Sequence, residues 1–134
     1  MERRVIVTNN NKVYQKHKDT LEVVFLESGS YTDVLEASRD LIHRGAKLLS
    51  HPMAGSLKPN QTPYRSVLLE RANSNGFREE NAAPRLDPES IGLIENSIEA
   101  AKKFLSIKQT PQWPAKIKED FKTIDLSIID SAVK

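Results

Sequence analysis

The chain has 134 residues, 15.1 kDa, 38% hydrophobic and 28% charged residues, and a formal charge of +2. That composition fits a globular chain with one core. The absence of cysteine excludes disulfides, iron–sulfur clusters, thiol nucleophiles and cysteine zinc sites, so no redox cofactor or thiol electron carrier is expected. No apolar run nears the ~20 residues of a membrane span, and the opening run Val5–Val7 is shorter than the ~7–15 residues of a secretory core, so neither a membrane partner nor export is expected and the expected compartment is the cytoplasm. The twenty Lys and Arg and eighteen Asp and Glu are scattered rather than blocked, which gives no footprint for nucleic acid.

In chain order, Arg4–Thr8 (RVIVT) reads as a strand that ends in three asparagines, Asn9 to Asn11. A short helix is expected over Lys12–Lys18. Leu21–Glu27 (LEVVFLE) is almost continuously apolar, the pattern of a strand buried on both faces of a parallel sheet. Tyr31, Val34, Leu35, Ser38, Leu41 and Ile42 then recur at helical spacing. Ser28 or Ser30 can cap that helix, and Gly45 can end it. The run AKLLS from Ala46 to Ser50 is the third strand, joined to the second by a parallel crossover.

Between Ser50 and Ser66 lies SHPMAGSLKPNQTPYRS, with three of the chain's seven prolines. A plain connection needs about two to six residues, so a long stiffened one is expected to hold something. Arg65–Glu70 follows as a fourth strand, expected antiparallel at one side of the sheet. Residues 72–85 read as a polar surface connection. Asp87 and Pro88 open a helix with Ile91, Ile94, Ile98, Ala101 and Leu105 as its buried stripe. From Gln109 onward, Ile117, Phe121, Leu126, Ile129 and Val133 suggest two short amphipathic helices, the second capped by Asp125. The expected fold is thus α/β: a single domain over residues 1–134, with a mixed, mostly parallel four-stranded sheet, flanking helices and a helical tail at 109–134. The tail would pack on the domain, on another protein or on a second copy of the chain.

In open sheets ligands bind beyond the carboxyl ends of the strands. Three polar runs fall there: Asn9 and Asn10, then Ser28, Gly29 and Ser30, then the long loop. Ser28–Ser30 lead into a helix, whose free N–H groups favour an anion, and Gly55, Ser56 and Lys58 could add donors and a cation. An N-cap beside a proline-stiffened connector explains the same residues without a ligand. His51 is the histidine best placed for acid–base chemistry, although a hydrogen bond to its own loop accounts for it equally well. One such histidine with no cysteine does not assemble a metal site. Ser56 lacks the glycine pattern of a nucleophile elbow, Glu27 is a strand-end carboxylate that water alone would satisfy, and Tyr31 and Tyr64 could wall a pocket or fill the core.

The segments TNN at 8–10, GSY at 29–31 and above all HPMAGSLKPNQTPY at 51–64 resemble the GrdX family. The resemblance implies a small protein encoded with the glycine, sarcosine or betaine reductase systems of amino-acid-fermenting anaerobes, whose enzymes work through selenocysteine and thiols. It implies an accessory, assembly or regulatory role, since this chain has no cysteine, with a reductase-system protein as partner; the strand-end residues add the expectation of a small anion or carboxylate as ligand. The rival readings are a small enzyme acting on an amino-acid-derived or phosphorylated metabolite, and a protein-interaction module centred on the tail.

Overall fold

Alternation along two strands sets the layers. In the computed structural model, which describes residues 2–72 and 85–134, β1 (Arg4–Thr8) sends Val5 and Val7 to one face and Ile6 to the other. β4 (Ser66–Glu70) does the same with Val67 and Leu69 against Leu68. Both faces are therefore apolar, and each is covered by helices, as a strand with a period of two requires. The first face carries α2 (Tyr31–His43) and α3 (Pro88–Ile107) through Val34, Leu35, Ile42, Ile94 and Ile98. The second carries α1 (Asn11–His17) and α4 (Ala115–Val133) through Val13 and Ile129.

With β2 (Glu22–Phe25) and β3 (Lys47–Leu48), the strand order is β2-β1-β4-β3. The sheet is mixed, as expected, but not mostly parallel. Only the β1–β2 pairing is parallel; β1–β4 and β4–β3 are antiparallel. The reason is that β4 lies between β1 and β3 rather than at the side of the sheet. A strand apolar on both faces gains most in the interior, and SVLLE is buried from Ser66 to Leu69. β2 takes an edge instead, with an exposed Glu22 and half-buried Val23, Val24 and Phe25, so the expectation that it is buried on both faces fails. Its direction, and that of β3, is nevertheless the direction of β1, as the pairings require.

The helix ends follow their caps. Asn10 accepts from the Lys12 amide at α1, Asp87 accepts from the Ser90 amide at α3, and Pro88 stands in the first turn of α3. Residues 109–134 do not form two helices. After Pro111 and Pro114 the chain runs as one helix, α4, and Asp125 is buried within it rather than capping a second one. Most of the connection expected over 72–85 lies outside the described residues. No helix among the described residues is long and apolar enough to cross a membrane.

The long loop is a brace. Asn60 donates to the Phe104 carbonyl (3.4 Å), and the Pro59 carbonyl accepts from Thr110 (2.6 Å). The Gln61 carbonyl accepts from the Trp113 indole (2.8 Å). Gly55, with φ of 96°, lies so close to α4 that a Cβ there would stand 2.6 Å from Ile128 Cδ1. One loop therefore ties the end of α3, the link to α4 and α4 itself to the start of β4. Fixing φ at several prolines lowers the entropy lost in ordering such a path.

Candidate functional site

The polar residues of this fold gather at one edge of the sheet. β1 and β2 run toward it, and β4 starts from it, so Thr8, Asn9, Asn10, Arg65 and Ser66 are neighbours although up to 58 positions separate Thr8 from Ser66. All five are buried. Each must therefore find a partner within the fold.

Asn9 joins three segments. Its amide donates to the carbonyls of Gly29 (3.0 Å) and Pro63 (2.8 Å), and its oxygen accepts from the Arg65 amide (2.9 Å). Both of its side-chain hydrogens are thus committed. Gly29 is fixed by close approach: a Cβ there would meet Leu26 Cβ at 2.8 Å. These contacts shape an open cleft of about 400 Å3 whose wall includes Asn9, Glu27, Ser28, Gly29, Ser30, Tyr31, Pro63, Tyr64, Thr110 and Lys118.

The electrostatics of the cleft are mixed. Ser30 caps α2 in a reciprocal box: its hydroxyl accepts from the Asp33 amide (3.1 Å), and the Asp33 carboxylate accepts from the Ser30 amide (2.9 Å). A carboxylate of the chain itself thus already sits at the positive end of this helix and weakens its pull on a further anion. Glu27 adds an acidic group to the wall and Lys118 a cation. Tyr31 is 3% exposed. Burial pushes its hydroxyl up from the usual value, and the Arg65 guanidinium, 5.7 Å from the ring centre, opposes that.

Behind the cleft lies a closed polar network. Asp125, carried by α4, accepts through Oδ2 from Ser66 Oγ (2.7 Å) and Asn10 Nδ2 (3.1 Å), and its Oδ1 is 3.5 Å from Arg65 Nη2. Ser66 Oγ lies 2.6 Å from Thr8 Oγ1, which accepts from the Asn10 amide at 3.0 Å. Since Ser66 donates to a carboxylate, the Thr8 hydroxyl donates to Ser66. Arg65 spends Nη1 on the Ala54 carbonyl (2.6 Å). The side chains of Arg65 and Asp125 are only 4% and 3% exposed. Among the described residues, Arg65 Nε and Tyr31 Oη are buried polar atoms with no hydrogen-bond partner. A serine held this way, without a histidine and away from solvent, is a structural donor and not a nucleophile.

Of the residues singled out in the sequence, Asn9, Ser28, Gly29 and Ser30 come together in the cleft. Asn10 turns away from it to cap α1 and hold α4 through the Lys122 carbonyl (2.8 Å) and Asp125. The loop residues stand elsewhere. His51 is exposed and accepts through Nδ1 from the Met53 amide (3.0 Å). Lys58 Nζ lies 4.8 Å from the Phe104 ring centre, and Gly55 and Ser56 are on the exposed part of the loop. The loop contributes Pro63 and Tyr64 to the cleft instead. Among the described residues no group of three or more His, Asp or Glu is arranged to hold a metal ion. Sequence reasoning missed Thr8, Arg65, Ser66 and Asp125 as a unit.

Residues 5–134, nearly the whole chain, match a family model described as GrdX-like protein. No curated protein and no solved structure matches the chain.

Proposed function

Since this chain belongs to the GrdX-like family, we propose that it is a cytoplasmic accessory protein of the glycine, sarcosine or betaine reductase system that holds a small carboxylate at the carboxyl ends of β1 and β2. The observation that supports a ligand is the cleft walled by Asn9, Ser28–Ser30, Tyr31 and Lys118. Lys118 supplies the cation that a carboxylate would meet, while Glu27 in the wall and Asp33 on the helix end weigh against a dianion such as phosphate. A chain without cysteine has no thiol with which to carry the reductase's electrons, so its part is to support the enzymes and not to replace one.

Thermal unfolding in sodium acetate against sodium chloride at matched ionic strength tests the ligand. Acetate should raise Tm in proportion to the logarithm of its concentration near saturation, and Lys118→Ala should blunt the rise. Equal shifts in both proteins would remove the cleft as the site. The accessory role is tested separately by deleting the gene in a glycine-fermenting host: active reductase should fall, and an unchanged yield would refute that role.

A further inference from the structure

α4 is held in an unusual way. It has 19 residues, yet only Asp125 and Ile129 among them are buried, and Pro114 at its start makes no side-chain cap. Its second apolar anchor, Leu126, is only partly buried. The central contact is a carboxylate seated among donors that belong to the sheet and to the end of β1: Ser66 Oγ at 2.7 Å, Asn10 Nδ2 at 3.1 Å and Arg65 Nη2 at 3.5 Å. Arg65 keeps one N–H, at Nε, buried and unpaired beside it. A guanidinium, a hydroxyl and an amide N–H converging on two oxygens form a carboxylate-recognition set. Ile129 in the core and Asp130 on Lys16 and His17 also hold the helix, but Asp125 is the contact seated in a buried donor set.

We propose that Arg65, Ser66 and Asn10 form a carboxylate-binding site that the chain fills with its own Asp125, so that α4 is a tethered ligand which a free monocarboxylate can replace once the tether is weakened. The donor set is distinct from the cleft, although Lys118, the cleft's cation, rides on the same helix. Tethering explains why the closed form dominates: the linked carboxylate acts at a high effective concentration, and a free one competes only when Asp125 is altered.

The test uses the full chain carrying Lys118→Ala, which removes the cleft's cation from both proteins compared. In that background Asp125→Ala should respond to acetate, its Tm rising with the logarithm of acetate concentration against a chloride control, while the parent with Asp125 should not. Equal responses would overturn the proposal. If Asp125→Ala fails to fold, Asp125→Asn keeps the shape and loses the charge, and hydrogen exchange of the 115–133 amides gives the reading. Weakening a charged hydrogen bond corresponds to about a tenfold change or more in the docking equilibrium. Acetate over chloride should then speed exchange of α4 in Asp125→Asn and leave the parent unchanged. The same ratio in both proteins would equally overturn the idea.

Discussion

Replacing Gly55 by alanine tests whether the long loop is a brace against α4. The residue has φ of 96°, a left-handed conformation that costs an L-residue about 1–2 kcal/mol. A Cβ there would lie 2.6 Å from Ile128 Cδ1, while the next atom, Ile128 Cγ1, is at an ordinary 3.7 Å. The methyl at fault is the end of a side chain, so it can swing aside at about 0.5–1.5 kcal/mol. Alanine also stiffens the unfolded chain, which returns about 0.4–1 kcal/mol. The net loss is about 0.5–3 kcal/mol, or roughly 2–15 °C in Tm for a chain of this size. Urea unfolding followed by far-ultraviolet circular dichroism measures it. Ile128→Val deletes the offending Cδ1, so in that background Gly55→Ala should cost less by about 0.5–1.5 kcal/mol, read as a double-mutant cycle. An identical cost in both backgrounds would show that the loop does not press on α4, and no cost in either would show that the left-handed turn is not required.

Lys58→Ala should forfeit no more than its contact with the Phe104 ring, about 0.5–1 kcal/mol, and His51→Ala should change stability by less than that because its partner is an exposed amide of its own loop; denaturant midpoints decide both. Truncation after Ile107 should be severe, since it takes Asp125 from Arg65 and uncovers Ile6 and Leu68. Uncovering those two aliphatic side chains alone costs about 3–6 kcal/mol. A truncated protein with the parent's Tm would refute this role for α4. At Asp130, burial pushes the carboxyl up, but hydrogen bonds and charge from Lys16 and His17 more than offset it, and the group lies below its ordinary value of 3.8. A depressed folded value means stability that is complete above about pH 3.8 and lost as pH falls through the lower folded value. Lys16→Ala should flatten that acid limb, and an unaltered acid limb would show that Asp130 does not hold α4 to α1.

Much of the fold is legible because it is local. Asp87 before Pro88, and Tyr31, Val34, Leu35, Ser38, Leu41 and Ile42 at helical spacing, write α3 and α2 directly into the chain, and each forms as read. The placing of strands is less legible, since it depends on which apolar segment gains most from two neighbours. LEVVFLE looks more continuous than RSVLLE, yet its Glu22 faces solvent in a pair with Arg71 at 2.5 Å, while SVLLE has no charge before Glu70. That difference puts β4 inside and β2 at the edge. The same rearrangement moves the loop: because β4 returns beside β1, the loop's last residues, Pro63 and Tyr64, line the cleft, and its histidine, serine and lysine do not.

Asp125 shows what a stricter reading of spacing could have found. Ile117, Phe121, Ile129 and Val133 are four residues apart except for one gap of eight, and Asp125 fills the gap. In a single unbroken helix that position must face the same way as its neighbours. A cap was the easier reading, because aspartate at a helix start needs no partner elsewhere. Uninterrupted spacing on both sides favours the other choice, and a carboxylate on an inward stripe then demands donors from whatever it packs against. Several cations flank the core strands, Arg3 and Arg4 at β1 and Arg71 after β4, but Arg65 is the one that opens SVLLE, with Ser66 beside it. Pairing the lone acid of an apolar stripe with the arginine at the start of an apolar strand gives the contact that the structure contains, at 3.5 Å between Arg65 Nη2 and Asp125 Oδ1.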